Sequence, residues 1–252
     1  MVRQPGSARE RLMGTGPVGF LSDAHGNPVA LLACIAALRA RGCSAIYFLG
    51  DAVGYLPMAE EVLAVLEAEG VPCQMGNHEG MLVGRLPLPA EKDAIYGLWA
   101  LRAQLSRERL DAIAAWPTRR TLDIAGRRVV LLHGGPQDEL CEYVYPDSDL
   151  ARFAELEADL VAVGHSHYPF VRRIQETSVI GVGSCGLPRD VGDLASCAVY
   201  DPGMDRAEIV RVQFDAEYVL AKAQAAGPVH DSVARVMRRR GRAPEVPGGS
   251  DG

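Results

Sequence analysis

Three short apolar runs, each stopping at a small residue followed by Asp or Asn, constrain this chain most. Val18–Leu21 ends at Ser22-Asp23, Ala45–Leu49 at Gly50-Asp51, and Val71–Met75 at Gly76-Asn77. Helical patterns lie between them. Asn27 is placed to cap a helix running to about Arg41, with Pro28 at its first position. Residues 58–69 carry Val62, Leu63, Val65 and Leu66 at helical spacing and end at Gly70. Strand–helix alternation of this kind predicts a parallel sheet. In open sheets of that type ligands sit at the carboxyl ends of the strands. Asp23, Asp51 and Asn77 should therefore meet on one edge although 28 and 26 residues separate them.

The rest of the chain reads differently. Residues 1–15 are polar, with Gly and Pro, and read as a loose arm. One domain is expected over 16–226. It carries a helical insert at about 80–116, with helices at 93–103 and 107–115 and Ser106 as a cap. Thr121–Ile124 and Arg128–Leu132 flank Ala125-Gly126, a hairpin pattern. A short helix at about 148–157 should follow, then strands at 160–163, 170–174, 178–182, 195–200 and 207–213. These suggest a second, mixed sheet. A helix at about 215–225 closes the domain. Residues 227–252 hold five arginines between 235 and 242 and end in Pro-Gly-Gly-Ser-Asp-Gly, which reads as a disordered tail.

Composition removes several functions. The net charge of −6 leaves no global basic footprint for nucleic acid. The longest apolar run, Val29–Leu38, is short of the ~20 residues that a membrane helix needs. The first residues lack the apolar stretch of a secretory signal. The six cysteines form no C-x-x-C pair and read as buried small hydrophobes in a reducing cytoplasm.

Histidine is the strongest pointer to chemistry. Five of six sit in short polar clusters at expected strand ends: His25, His78, His133, His165 and His167. In Asp23-Ala24-His25 and His165-Ser166-His167, an extended backbone would put residues i and i+2 on one side, so each pair could address one ion. Mixed nitrogen and oxygen donors suit Mn, Fe, Co, Ni or Zn. No cysteine joins these clusters, which disfavours a structural zinc site.

The ordered set Asp23-x-His25, Gly50-Asp51, Gly76-Asn77-His78-Glu79, His133-Gly134 and Gly164-His165-Ser166-His167 resembles the calcineurin-like metallophosphoesterase superfamily, over roughly residues 17–215. Ser22–Asn27, Gly50–Tyr55, Gly164–Phe170 and Gly183–Arg189 resemble its small prokaryotic phosphodiesterase-like branch. The resemblance implies an α+β fold, a four-layer αββα sandwich of two mixed sheets. It implies two divalent ions, manganese foremost, with Fe, Zn, Ni or Co as alternatives. Asp23, His25, Asp51 and His167 would hold one; Asp51, Asn77, His133 and His165 would hold the other. A hydroxide between the ions would attack phosphorus, and His78 would act as general acid. Asn77 would also touch substrate, and Glu79 would only brace its loop. Two ions, two carboxylates and a hydroxide leave a small positive charge to receive a phosphate.

Departures narrow the expected substrate. Protein phosphatases and symmetrical diadenosine tetraphosphatases of the superfamily carry G-D-x-V-D-R-G, whereas this chain has Gly50-Asp51-Ala52-Val53-Gly54-Tyr55-Leu56. The Asp that would orient the catalytic histidine and the phosphate-gripping Arg are both missing. Arg189 is the candidate replacement for that Arg; its alternative role is pairing with Asp190 or Asp193. Tyr143, Tyr145 and Tyr168 would either flank a substrate base or pack at a cleft edge. The expected activity is hydrolysis of a phosphodiester in a small substrate, including a nucleotide. A phosphomonoesterase, a nucleotide pyrophosphohydrolase and a non-catalytic scaffold are the alternatives.

Overall fold

The computed structural model describes residues 10–12 and 16–240. The strands are β1 (Glu10–Leu12), β2 (Val18–Leu21), β3 (Ala45–Phe48), β4 (Arg119–Ile124), β5 (Arg127–Leu132), β6 (Leu160–Val163), β7 (Phe170–Ile174), β8 (Thr177–Gly181), β9 (Leu194–Asp201) and β10 (Arg206–Gln213). The helices are α1 (Pro28–Ala40), α2 (Ala59–Ala68), α3 (Asn77–Leu82), α4 (Ala90–Tyr96), α5 (Leu98–Gln104), α6 (Arg107–Ala114), α7 (Ala216–Ala226) and α8 (Asp231–Met237). A 3-10 helix spans Ala151–Leu156.

Two mixed sheets face each other. One runs β10-β9-β2-β3 and the other β1-β4-β5-β6-β8-β7. Period-2 alternation builds the layers. Val18 and Phe20 of β2, Val129 and Leu131 of β5, and Ala198 and Tyr200 of β9 fill the space between the sheets. The alternate residues point outward. Leu21, Phe48, Cys197 and Val199 pack under the helices. Val130, Leu132, Val161 and Val163 pack under Phe153 of the 3-10 helix. This is the expected α+β sandwich with a metallo-dependent phosphatase-like fold. Its outer layer on the six-stranded side is thin, a 3-10 helix where an α-helix was expected.

Several local expectations need correction. The run 71–75 makes only one bridge, Phe48 to Cys73, because Pro72 has no N–H to give a ladder. The helix expected over 93–103 is two, broken at Gly97, whose φ of +67° ends α4. The Gly76-Asn77-His78 segment opens α3. The N-terminal arm is not wholly loose: β1 pairs in parallel with β4, and Leu12 packs on the inter-sheet core. The tail is not wholly disordered. His230 caps α8 by accepting from the Ser232 N–H at 3.2 Å, and Val233 and Met237, one turn apart, are buried against the helical layer. Residues 1–9, 13–15 and 241–252 lie outside the described residues.

Candidate metal centre

The loops after β2, β3, β5 and β6 and the start of α3 deliver one residue group each to a common edge. Asp23, His25, Asp51, His78, His133, His165 and His167 are all buried there. Their backbone is unusual. Asp23, His25, Asp51, His165 and His167 have φ between +46° and +63°. Neither Asp23-x-His25 nor His165-x-His167 is therefore the extended segment that its spacing suggested. The last pair divides: His167 joins Asp23 and His25, and His165 joins Asp51 and His133.

Small residues let these loops touch. A Cβ on Gly50 would overlap the backbone of Gly76, one on Gly76 would overlap Asp51, and one on Gly164 would overlap Ser22. Glu79 fixes the same crossing. One of its oxygens accepts the N–H groups of Asp51 at 2.7 Å and Gly76 at 2.8 Å; the other accepts Ala52 at 2.8 Å and Val53 at 3.3 Å.

Three imidazoles are oriented alike. The Nδ1–H groups of His25, His133 and His167 donate to the carbonyls of Val53 (3.1 Å), Leu49 (3.0 Å) and Leu187 (2.6 Å). A carbonyl only accepts, so each Nδ1 holds a proton and each Nε2 points inward. His25 Nε2 and His167 Nε2 stand 3.0 Å apart. Asp23 Oδ1 lies 3.3 Å from the latter and has no hydrogen-bond partner although it is buried. An orphaned carboxylate oxygen beside two converging ring nitrogens fits a bound cation. Asp51 Oδ2 sits 3.7 Å from His25 Nε2 and 3.4 Å from His133 Nε2. Asn77 Oδ1 lies 3.1 Å from His133 Nε2.

The electrostatics follow from burial and crowding. Burial opposes ionisation of Asp23 and Asp51, but neighbouring imidazoles hold both carboxyls well below the ordinary range. Burial also opposes charge on His133, yet Asp51 pushes it up to about 9. Burial lowers His165 to about 3, helped by His133, and lowers His167 to about 4 against the pull of Asp23. Burial raises Glu79 to about 7, with the Asp51 charge adding to it.

His78 lies 3.9 Å from Asp51 Oδ2 through Nε2, and its backbone N–H donates to Asp51 Oδ1 at 2.9 Å. Its Nδ1 is buried without a partner and abuts Gly54. Among the described residues no carboxylate hydrogen-bonds Nδ1 of this ring. The rings of His25, Tyr55 and Tyr96 lie against it, at centroid distances of 4.7, 5.1 and 4.3 Å. Arg189 pairs with neither Asp190 nor Asp193. Asp190 holds Arg211 and Asp193 holds Arg240, while Arg189 donates to Tyr55 Oη at 3.2 Å. The sequence reading held Tyr55 within the Gly50–Tyr55 motif without giving it a role, and missed Tyr96, whose local pattern carries no signal. The sequence reading expected Glu79 to brace its loop; the fourfold grip that does so was not visible there.

A family model described as the calcineurin-like phosphoesterase superfamily domain matches residues 17–203. The chain belongs to the calcineurin-like phosphoesterase superfamily. An uncharacterized protein of Methanocaldococcus jannaschii is 30% identical over 218 residues, 79% of this chain and 88% of that one. The crystal structure of a metallophosphoesterase from Sphaerobacter thermophilus is 26% identical, with a TM-score of 0.71 over 88% of this chain and 98% of its own. A Pyrococcus horikoshii protein at 19% identity shares the fold, with a TM-score of 0.76 over 90% and 99%. This calcineurin-like phosphoesterase is a hydrolase of phosphoric esters, with His and Asp clusters able to bind metal. No helix among the described residues is long and apolar enough to cross a membrane.

Proposed function

We propose that the chain hydrolyses phosphodiesters in the cytoplasm at a site for two divalent cations, manganese foremost. The observation that carries this reading is the place of Asp51 between two donor groups, Asp23/His25/His167 on one side and His133/His165 on the other. Asp23, His25, Asp51 and His167 would hold one cation; Asp51, Asn77, His133 and His165 would hold the other. When bound, the cations supply Lewis-acid charge and activate water for attack at phosphorus.

His78 presents Nε2 beside Asp51 and protonates the leaving oxygen. Burial holds its imidazole well below the ordinary range while Asp51 pulls the other way, and an arriving phosphate anion strengthens that pull. Arg189 grips a phosphate oxygen, helped by Asn77. One guanidinium, held beside Tyr55, matches the single charge of a diester better than the two charges of a monoester. Six free thiols, five of them buried, accord with a reducing compartment.

The test is hydrolysis by metal-stripped protein reloaded with manganese. We expect kcat/KM for bis-p-nitrophenyl phosphate to exceed that for p-nitrophenyl phosphate at least tenfold. His78→Ala should lower it by about 10²–10⁴-fold with metal content unchanged. A monoester preference would overturn the diester reading, and loss of metal in His78→Ala would overturn the acid role. Inactivity on both esters would leave a narrow nucleotide hydrolase or a scaffold.

A further inference from the structure

We propose that Tyr143 forms a subsite for a planar ring of the substrate, so that the preferred esters carry an aromatic or heteroaromatic group. The inference rests on the reading of the metal centre as a phosphate-ester site. Most tyrosines near the centre are already spent on packing. Tyr55 and Tyr96 lie against each other at 4.9 Å and against His78. Tyr143 differs. Its ring lies on His165, with centroids 4.0 Å apart and planes 25° apart, yet the residue is 47% exposed. Tyr145 runs parallel to it, at 5.8 Å and 6°, and Tyr168 meets Tyr145 edge-on at 5.9 Å.

The loop beneath is braced. Gly134 and Gly135 donate to the carbonyls of Glu139 and Asp138 at 2.7 and 3.0 Å, and the Gln137 N–H donates to the Glu142 carboxylate at 2.6 Å. Val144, between the two tyrosines in sequence, is buried, while Tyr143 is exposed and Tyr145 half-buried. The result is an open aromatic surface already fixed in place, so stacking on it orders little that was free. It begins one ring beyond His165, which belongs to the Asp51/His133 cluster. The organic substituent of a phosphate held at that cluster would lie within reach of the Tyr143 face.

The experiment is titration calorimetry of the manganese-loaded full chain with adenosine 5′-monophosphate, phenyl phosphate and glycerol 3-phosphate. All are monoesters and differ in the ring. A stacked base contributes about 5–150-fold in affinity. We expect a ring-bearing ligand to bind at least tenfold tighter than glycerol 3-phosphate. Tyr143→Leu should remove at least fivefold from the ring-bearing ligands alone, and Tyr143→Phe should keep them. Adenosine 5′-monophosphate ahead of phenyl phosphate would identify the ring as a nucleobase; the reverse order would identify a simple aryl group. Equal affinities, equal losses in Tyr143→Leu, or no binding of any of the three would overturn the subsite. The two readings fail separately. Ring-selective, Tyr143-dependent binding without hydrolysis of bis-p-nitrophenyl phosphate would sink the diesterase reading alone. Hydrolysis without ring selectivity would sink this one.

Discussion

Asp51 and Glu79 act as a unit at the residue scale. Asp51 offers one oxygen to His25 and His133 and the other to the His78 backbone. Asp51→Asn removes the charge and keeps the shape. We expect it to weaken manganese binding at both positions, by tenfold or more, since one carboxylate faces both donor groups. Metal counting by plasma emission after dialysis decides this; one equivalent retained at full affinity would contradict a shared ligand. Glu79 never faces the centre but satisfies four N–H groups of the loops that do. Glu79→Gln turns an acceptor oxygen into a donor and leaves buried N–H groups unpaired. The loss should be about 2–4 kcal/mol of stability, read from the urea midpoint of metal-free protein. The metal-donor candidates were legible as residues because each sits beside a Gly or Ser in a short polar cluster, and His78 because it follows Gly76-Asn77 in one. Their conformation was not. Left-handed backbone at Asp23 and His165, on the order of 1–3 kcal/mol of strain each, is imposed by partners far away in sequence, such as the Asp23 Oδ2 that accepts the His165 N–H at 3.1 Å.

At the scale of elements, α8 matters to the site more than its sequence suggests. Its five-arginine neighbourhood reads as solvated chain, yet the Arg239 guanidinium donates to the Arg189 carbonyl at 2.6 Å, and the Arg239 carbonyl accepts the Gly192 N–H at 3.0 Å. A Cβ at Gly192 would overlap the α8 backbone. The last helix therefore clamps the loop that carries Arg189. Arg239→Ala should raise KM about fivefold with kcat nearly unchanged, and Arg239→Lys, which still donates, should recover most of it. A fall in kcat at constant KM would assign Arg239 another role. Truncation after Ala226 also exposes the surface under Val233 and Met237, and should lose roughly 3–5 kcal/mol. Elements with strong periodicity, such as α1 with its Asn27 cap at 3.1 Å, were legible from sequence. The short pieces were not. β1 exists only because β4 offers it an edge, and α8 only because Val233 and Met237 find a core to enter.

For the whole molecule, the two facing sheets do not follow the two halves of the chain: β9 and β10, expected in the second sheet, instead extend the sheet of β2 and β3, and the site lies along one edge of the contact between the sheets. Alternation in the first half indicated where ligands gather. The pairing of the two sheets left no mark in any single segment, because Val18, Leu131 and Tyr200 become neighbours only once both sheets have formed. The same burial that joins the two sheets makes the metal-free protein carry opposed titrations. His165 and His167 are lowered to about 3 and about 4 from 6.5. The stability they contribute is present above pH 6.5 and is lost as pH falls toward those values. His133 and Glu79, raised to about 9 and about 7, work in the other direction: their contributions fade as pH rises through those values and recover on acidification. His78, also held well below the ordinary range, adds to the loss on acidification, so the wild-type curve sums several groups of both signs and isolates none. A variant separates the parts. Between pH 7 and 5 the unfolded chain gains most of one proton at His165 that the folded chain refuses, worth about 2 kcal/mol. Metal-stripped His165→Asn should therefore lose about 2 kcal/mol less than wild type over that interval, measured by urea unfolding at both pH values. Equal changes in the two proteins would mean that His165 takes up its proton in the folded state, and that the Asp51 cluster is open to water before any cation enters it.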